Sequence, residues 1–286
     1  MIFFYIIFLL SVQSPIRTAT LTTPISQYLH QHMRTKVALC VALFFVLIPR
    51  SLALPAWLRR ELHKNKTIEE EKMAGWERMW SSNGGLKKGQ AFDASKPLPF
   101  ISKLFEMNLV PKGKGIVPGC GRGYAPRALA KGGRYCIGLD IAPSAVQAAT
   151  SYLRSNPISN GKVEFKQGSF FEYSDRDGDK SFDFAYDYTF LCALQPEMRE
   201  SWASTYARLL KDDGILMTVV FPITGHNGGP PFALTVNLVR DLLRPHGFKK
   251  IFEKNLEAGE AHDGRVGKTT MALWCRRGKD IDESGL

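Results

Sequence analysis

Acidic residues are missing from the first sixty positions of this 286-residue chain, and Glu61 is the first to occur. Six basic residues (Arg17, Arg34, Lys36, Arg50, Arg59 and Arg60) share that stretch, so more than half of the net charge of +11 belongs to it. The remainder carries 32 basic against 27 acidic groups, an ordinary solvated surface. No Lys/Arg run with interleaved aromatics occurs there, so no nucleic-acid partner is expected. There is no Cys-x-x-Cys pair and no His cluster, which excludes a zinc site of the usual spacing and a disulfide framework. Cys40 falls in the acid-free stretch, whereas Cys120, Cys136, Cys192 and Cys275 sit in apolar contexts and read as buried thiols. Internal repeats and low-complexity tracts are also lacking. No apolar run reaches the ~18 residues needed to span a bilayer.

Two shorter apolar runs are present, from Met1 to Val12 and from Val37 to Ile48. The second follows Met33-Arg34-Thr35-Lys36 and precedes Pro49-Arg50-Ser51-Leu52-Ala53. A basic n-region, a short h-region and a small residue at a cleavage point describe a signal peptide. We therefore expect residues 1–60 to be a targeting leader or membrane-associated segment, directing the chain to the secretory pathway or an organelle. Residues 61–286 then form the working domain, a monomer that touches a membrane only through an uncleaved leader. An apolar content of 44% is enough for a real core.

Within that domain, Thr67-Ile68-Glu69-Glu70 is a capping box. The helix it opens places Met73, Trp76, Met79 and Trp80 on one face, either as packing or as a cover over a flat cationic ligand. A helix at 97–107 leads into the first strand. Helices at 124–132, 143–155, 196–210 and 232–244 then alternate with strands at 135–139, 162–166, 182–187 and 214–221. That order is an α/β fold with a mostly parallel sheet. Strands at 247–253 and 269–275, with no helix between them, close the chain as an antiparallel pair.

The organising stretch is Gly115-Ile116-Val117-Pro118-Gly119-Cys120-Gly121-Arg122-Gly123-Tyr124. An apolar strand ends in a glycine loop and a helix follows, while the next strand, Cys136-Ile137-Gly138-Leu139, is tipped by Asp140. A loop that lets the backbone approach a ligand, with an acid placed to meet ribose hydroxyls, binds an adenosyl group. A dinucleotide needs a third glycine at position 124, where this chain has Tyr124. Glycines at 119, 121 and 123 suit a ligand without pyrophosphate, and S-adenosylmethionine is one. Ser169 and Phe170 end the third strand, where adenine would sit, and the fourth ends in Asp187-Tyr188.

Several segments together resemble the thiopurine S-methyltransferase family: Val117-Pro118-Gly119-Cys120-Gly121, Gly138-Leu139-Asp140-Ile141, Phe182 through Ala193, Pro196-Glu197-Met198-Arg199, and Phe221-Pro222 followed by Gly228-Gly229-Pro230-Pro231. The branch most like this chain methylates thiocyanate, halides and thiols. The resemblance covers roughly Ala74 to Arg276. It implies a seven-stranded, Rossmann-like class I methyltransferase fold with an antiparallel last strand. It also implies cofactor contacts from Trp76, Trp80, Gly119, Asp140, Ser169, Phe170 and Tyr188, and catalytic duty for Tyr188 and Arg199. Plant members have Asp in place of Ser169 and a third Trp where this chain reads Gly85-Leu86-Lys87-Lys88-Gly89. Whether Phe92 takes over from that Trp is left open.

Methyl transfer from a sulfonium is an in-line displacement that needs a positioned nucleophile and a dry site. A thiolate, thiocyanate or halide is already a competent anion, in keeping with the lack of an obvious catalytic dyad. The expected function is thus methyl transfer to a small soft nucleophile. The rivals are an oxidoreductase, an O- or N-methyltransferase, and an inactive cofactor-binding protein. His226 reads as a loop residue without catalytic duty and Asp187 as structural.

Overall fold

The computed structural model describes residues 74–276, all within one compact unit, Asn65–Leu286. The leader, Cys40 and the capping box at 67–70 lie outside the described residues. Among those described, no helix is long and apolar enough to cross a membrane.

Seven strands form one sheet: β1 (Lys114–Pro118), β2 (Tyr135–Asp140), β3 (Lys162–Gln167), β4 (Phe182–Tyr188), β5 (Leu210–Val220), β6 (Lys249–Asn255) and β7 (Thr270–Cys275). Their order is β3-β2-β1-β4-β5-β7-β6. The first five are mutually parallel. The expected terminal antiparallel pair is present, but β7 does more than pair with β6. It inserts between β5 and β6 and is antiparallel to both. Chain order reverses between β1 and β4, and the crevice beyond the carboxyl ends of such a pair is where open sheets bind ligands.

The helices are α1 (described over 74–81), α2 (Phe100–Glu106), α3 (Tyr124–Leu129), α4 (Pro143–Ser155), α5 (Arg199–Leu209) and α6 (Val236–Leu243). Successive strand residues face opposite sides of the sheet, so the core divides in two. Ile116, Ile137 and Ala185 pack with Trp202, Tyr206 and Trp274 on one face. Val117, Cys136, Phe184, Tyr186 and Met217 pack with α2 and Phe252 on the other. Complete burial of each large side chain contributes about 1.5–3 kcal/mol.

Boundaries shift where side chains decide them. Strand β5 begins at Leu210 rather than at 214. A register irregularity opposite Phe182–Phe184 absorbs the extra residues, and Lys211 pairs with Asp183 at 2.6 Å across it. Helix α6 starts at Val236 rather than 232, because the Thr235 hydroxyl accepts from Leu238 N at 3.0 Å as an N-cap.

Candidate cofactor and acceptor site

A cavity of about 790 Å³ opens at the β1/β4 switch point. Its floor is the glycine loop. Gly119 and Gly121 have φ of +55° and +51°. A Cβ on Gly119 would come within 2.6 Å of Phe190, and one on Gly121 within 3.2 Å of Trp80. Only glycine satisfies both the dihedral and the space.

Asp140, at the end of β2, accepts from Gly121 N at 2.9 Å and from Ala142 N at 3.0 Å. Burial raises its pKa, and these backbone donors oppose the rise. A carboxylate has about four acceptor positions, so capacity remains on the side that lines the cavity.

Helix α1 covers the loop. The Glu77 carboxylate accepts from Ser144 N at 3.0 Å and from the Ser144 hydroxyl. This places a negative charge at the N-terminus of α4, where the helix dipole favours it. Trp80 packs on Ala142 and Ala145. Phe92 meets Trp76 and Trp80 edge to face, with centroids 5.9 and 5.7 Å apart, so the three rings form one cluster. Buried Asp93 fastens the segment: it accepts from Arg122 Nε at 2.7 Å, Tyr124 Oη at 3.0 Å and Ser95 N at 2.8 Å. Tyr124, which stands where a dinucleotide loop needs glycine, thus holds down the cover.

At the opposite wall, Ser169 and Phe170 line the cavity after β3. Phe170 is packed by Phe190 and Tyr206 at 5.3 and 4.7 Å. Asp187 in β4 accepts from Trp202 Nε1 (2.7 Å), Tyr206 Oη (3.1 Å) and Leu191 N (3.1 Å). It is a buried clamp, as expected, and it holds the turn in which Thr189 takes a left-handed φ of +61°, a costly conformation for a β-branched residue. That turn presents Tyr188 to the cavity. Burial raises the Tyr188 pKa and Arg265 opposes the rise.

Of the expected residues, Trp76, Trp80, Gly119, Asp140, Ser169, Phe170 and Tyr188 all line this one cavity. Arg199 does not. Its guanidinium lies 5.7 Å from the centre of the Phe232 ring, and its Nε is buried without a hydrogen-bond partner. His226 is also outside, with its Nδ1 2.6 Å from Thr224 Oγ1 and its Nε2 2.9 Å from Pro231 O. The basic residues that do line the cavity are Lys96, His262 and Arg265. Arg265 Nη1 donates to Tyr188 Oη at 2.7 Å and Nη2 to Phe92 O at 3.3 Å. The His262 ring stacks on Tyr188 at 5.8 Å, 9° from parallel. Both reside in residues 256–269, a β6–β7 connection far longer than the roughly two to five residues of a hairpin loop. That length was the available signal. Cys120 and Cys192 line the cavity as well, and burial raises both thiol pKa values, that of Cys192 to about 12.

The sheet order, the glycine loop and the acid at the end of β2 define an S-adenosylmethionine-dependent methyltransferase of class I. A magnesium protoporphyrin IX methyltransferase from Synechocystis PCC 6803, solved with SAH bound, shares this fold with a TM-score of 0.52 at 16% identity, over 76% of this chain and 99% of that one. The chain belongs to the thiopurine S-methyltransferase family, whose model matches residues 71–272. It is 37% identical to thiocyanate methyltransferase 1 of Brassica oleracea (73% of this chain, 86% of that protein). It is 36% identical to a probable thiol methyltransferase 2 of Arabidopsis thaliana (73% and 88%). Its cofactor is S-adenosylmethionine.

Proposed function

We propose that the chain methylates a small soft anion, of which thiocyanate, hydrosulfide, a thiolate or a halide are the candidates. The observation that carries this reading is the Arg265–Tyr188 pair at the end of an aromatic cavity. The guanidinium supplies a fixed positive charge, and Tyr188, Phe221 and Phe190 supply polarisable, water-excluding walls. Arg265 also lies 4.7 Å from the centre of the Phe221 ring. Both carboxylates on the cavity wall, Asp93 and Asp140, are already committed to other donors. A nucleophile that arrives ionised needs no base from them.

When bound, S-adenosylmethionine supplies an electrophilic methyl group on a sulfonium. In our reading Gly119 and Asp140 hold its amino-acid and ribose ends. Ser169 and Phe170 meet the adenine, while Trp76, Trp80 and Phe92 cover the cation. Tyr188 positions the acceptor and does not deprotonate it, because its raised pKa makes a phenolate costly. Arg265 orients the anion, in place of Arg199, to which the family resemblance assigned catalytic duty. The working domain then runs from about residue 61 onward, behind a leader. The names of the Brassica and Arabidopsis relatives support an S-acceptor. A panel of iodide, thiocyanate, hydrosulfide and an aromatic thiol, read as S-adenosylhomocysteine release, tests the proposal. Turnover of at least one supports it, and silence across the panel despite tight cofactor binding overturns it.

A further inference from the structure

His262 is buried, with 5% of its surface exposed, yet its Nδ1 has no hydrogen-bond partner. Buried polar side-chain atoms are nearly always partnered, and an orphan calls for an explanation. Its ring is held parallel to Tyr188 and lines the same cavity. The neighbouring Arg265 is already engaged by Tyr188 Oη and Phe92 O. The acceptor end of the cavity therefore contains two cations, Lys96 and Arg265, and one imidazole whose bonding is incomplete.

We propose that His262 is a specificity-determining residue: its imidazole hydrogen-bonds the acceptor atom that lies behind the attacking sulfur. The site thereby favours thiocyanate, or a thiol carrying a polar substituent, over a monatomic halide. This rests on the small-anion reading above and adds which member of that class is preferred. The chemistry follows from what each acceptor offers. Thiocyanate presents sulfur at one end and a hydrogen-bond-accepting nitrogen at the other. Iodide has no second atom, so the imidazole gains nothing from it. Burial, Arg265 and Lys96 hold the His262 pKa down to about 4 against the opposing charge of Asp263, so at neutral pH the ring is uncharged and can donate one N–H without adding a further positive charge beside Arg265 and Lys96. A site built to hydrogen-bond a substrate group discriminates strongly against an analogue that lacks it.

The test compares wild type with His262→Leu and His262→Asn, each saturated with S-adenosylhomocysteine. The C≡N stretch of added thiocyanate reports hydrogen bonding at its nitrogen directly, and calorimetry gives its dissociation constant. We expect a shifted stretch in the wild type. In His262→Leu the shift disappears and the dissociation constant rises about tenfold, and in His262→Asn both are partly recovered. Iodide affinity stays within about twofold in all three. In turnover with the methyl donor, the Leu variant raises the KM for thiocyanate more than it lowers kcat. An unchanged stretch and affinity in His262→Leu, or equal losses for thiocyanate and iodide, overturns the inference while leaving the small-anion reading intact. Failure of wild type to bind any anion of the panel overturns both.

Discussion

Arg265 and Tyr188 are 77 residues apart in sequence and 2.7 Å apart in space, and their contact sets the polarity of the acceptor end of the cavity. Replacing Arg265 by Gln keeps a hydrogen-bond donor and removes the charge. The expected result is a fall in kcat/KM for the anionic acceptor of roughly ten- to a hundredfold, the range for a lost charged hydrogen bond. The cofactor dissociation constant should change by less than about threefold, since Arg265 is assigned to the acceptor. Steady-state kinetics and calorimetry on one preparation check both parts. An equal loss in cofactor affinity would return Arg265 to a purely structural role.

Asp140 should behave in the opposite way. Asp140→Ala removes the carboxylate proposed to meet the ribose and frees the Gly121 and Ala142 amides that now point at it. We expect the dissociation constant for S-adenosylmethionine to rise by at least about a hundredfold, as two or more hydrogen bonds are lost. Calorimetry is the direct measurement, and an unchanged value would undo the ribose assignment.

The cover over the glycine loop can be loosened at Glu77, which does not line the cavity. Glu77→Ala removes the carboxylate at the start of α4. A charge at a helix N-terminus contributes roughly 0.3–1 kcal/mol, so global stability should fall only slightly. Amide exchange over residues 74–96 should nonetheless accelerate, and cofactor affinity should drop several-fold. Phe92→Ala, which removes the edge contacts to both tryptophans, should weaken cofactor binding further while leaving the pH profile unchanged.

Asp175 gives a pH signature remote from the chemistry. Burial opposes its ionisation, but Lys114, Asp177 N and Tyr173 Oη bond the carboxylate and hold its pKa at about 2, against an ordinary 3.8. A depressed carboxylate pKa adds stability that is present above the unfolded-state value and is lost as pH falls through the folded one. The shift corresponds to ~2 kcal/mol, lost between about pH 4 and pH 2. Thermal melts of wild type and Asp175→Asn should differ at pH 6 and converge toward pH 2. A gap that stays constant with pH would show that the carboxylate charge contributes nothing.

What could be read from the chain beforehand divides along sequence distance. The glycine loop, Asp140 and the aromatic pair Trp76 and Trp80 carry local signatures: strand, loop and helix in order, an acid at a fixed remove, tryptophans at helical spacing. Tyr124 was equally legible as an exclusion, but its use was not, because Asp93 lies 31 residues upstream and nothing in its neighbourhood marks it as a clamp. Arg265 and His262 reach the cavity only because β7 inserts between β5 and β6 and carries the long connection over the β4 end. Arg199 had the right charge on the right helix, yet the aromatic ring of Phe232 takes it. Boundaries failed for smaller reasons, such as the hydroxyl cap at Thr235 and the irregular start of β5.

The segment over the glycine loop is fastened at three places: Glu77 to Ser144, Asp93 to Arg122 and Tyr124, and the Phe92 carbonyl to Arg265. Each fastening has a charged member, and hydrogen bonds with a charged partner are stronger than neutral ones. The spent, uncharged thioether is expected to leave past this segment, with several of the fastenings parting together. We therefore expect departure to be slower than bond-making, and a first fast turnover followed by a slower steady rate in rapid-mixing kinetics is the result that checks it.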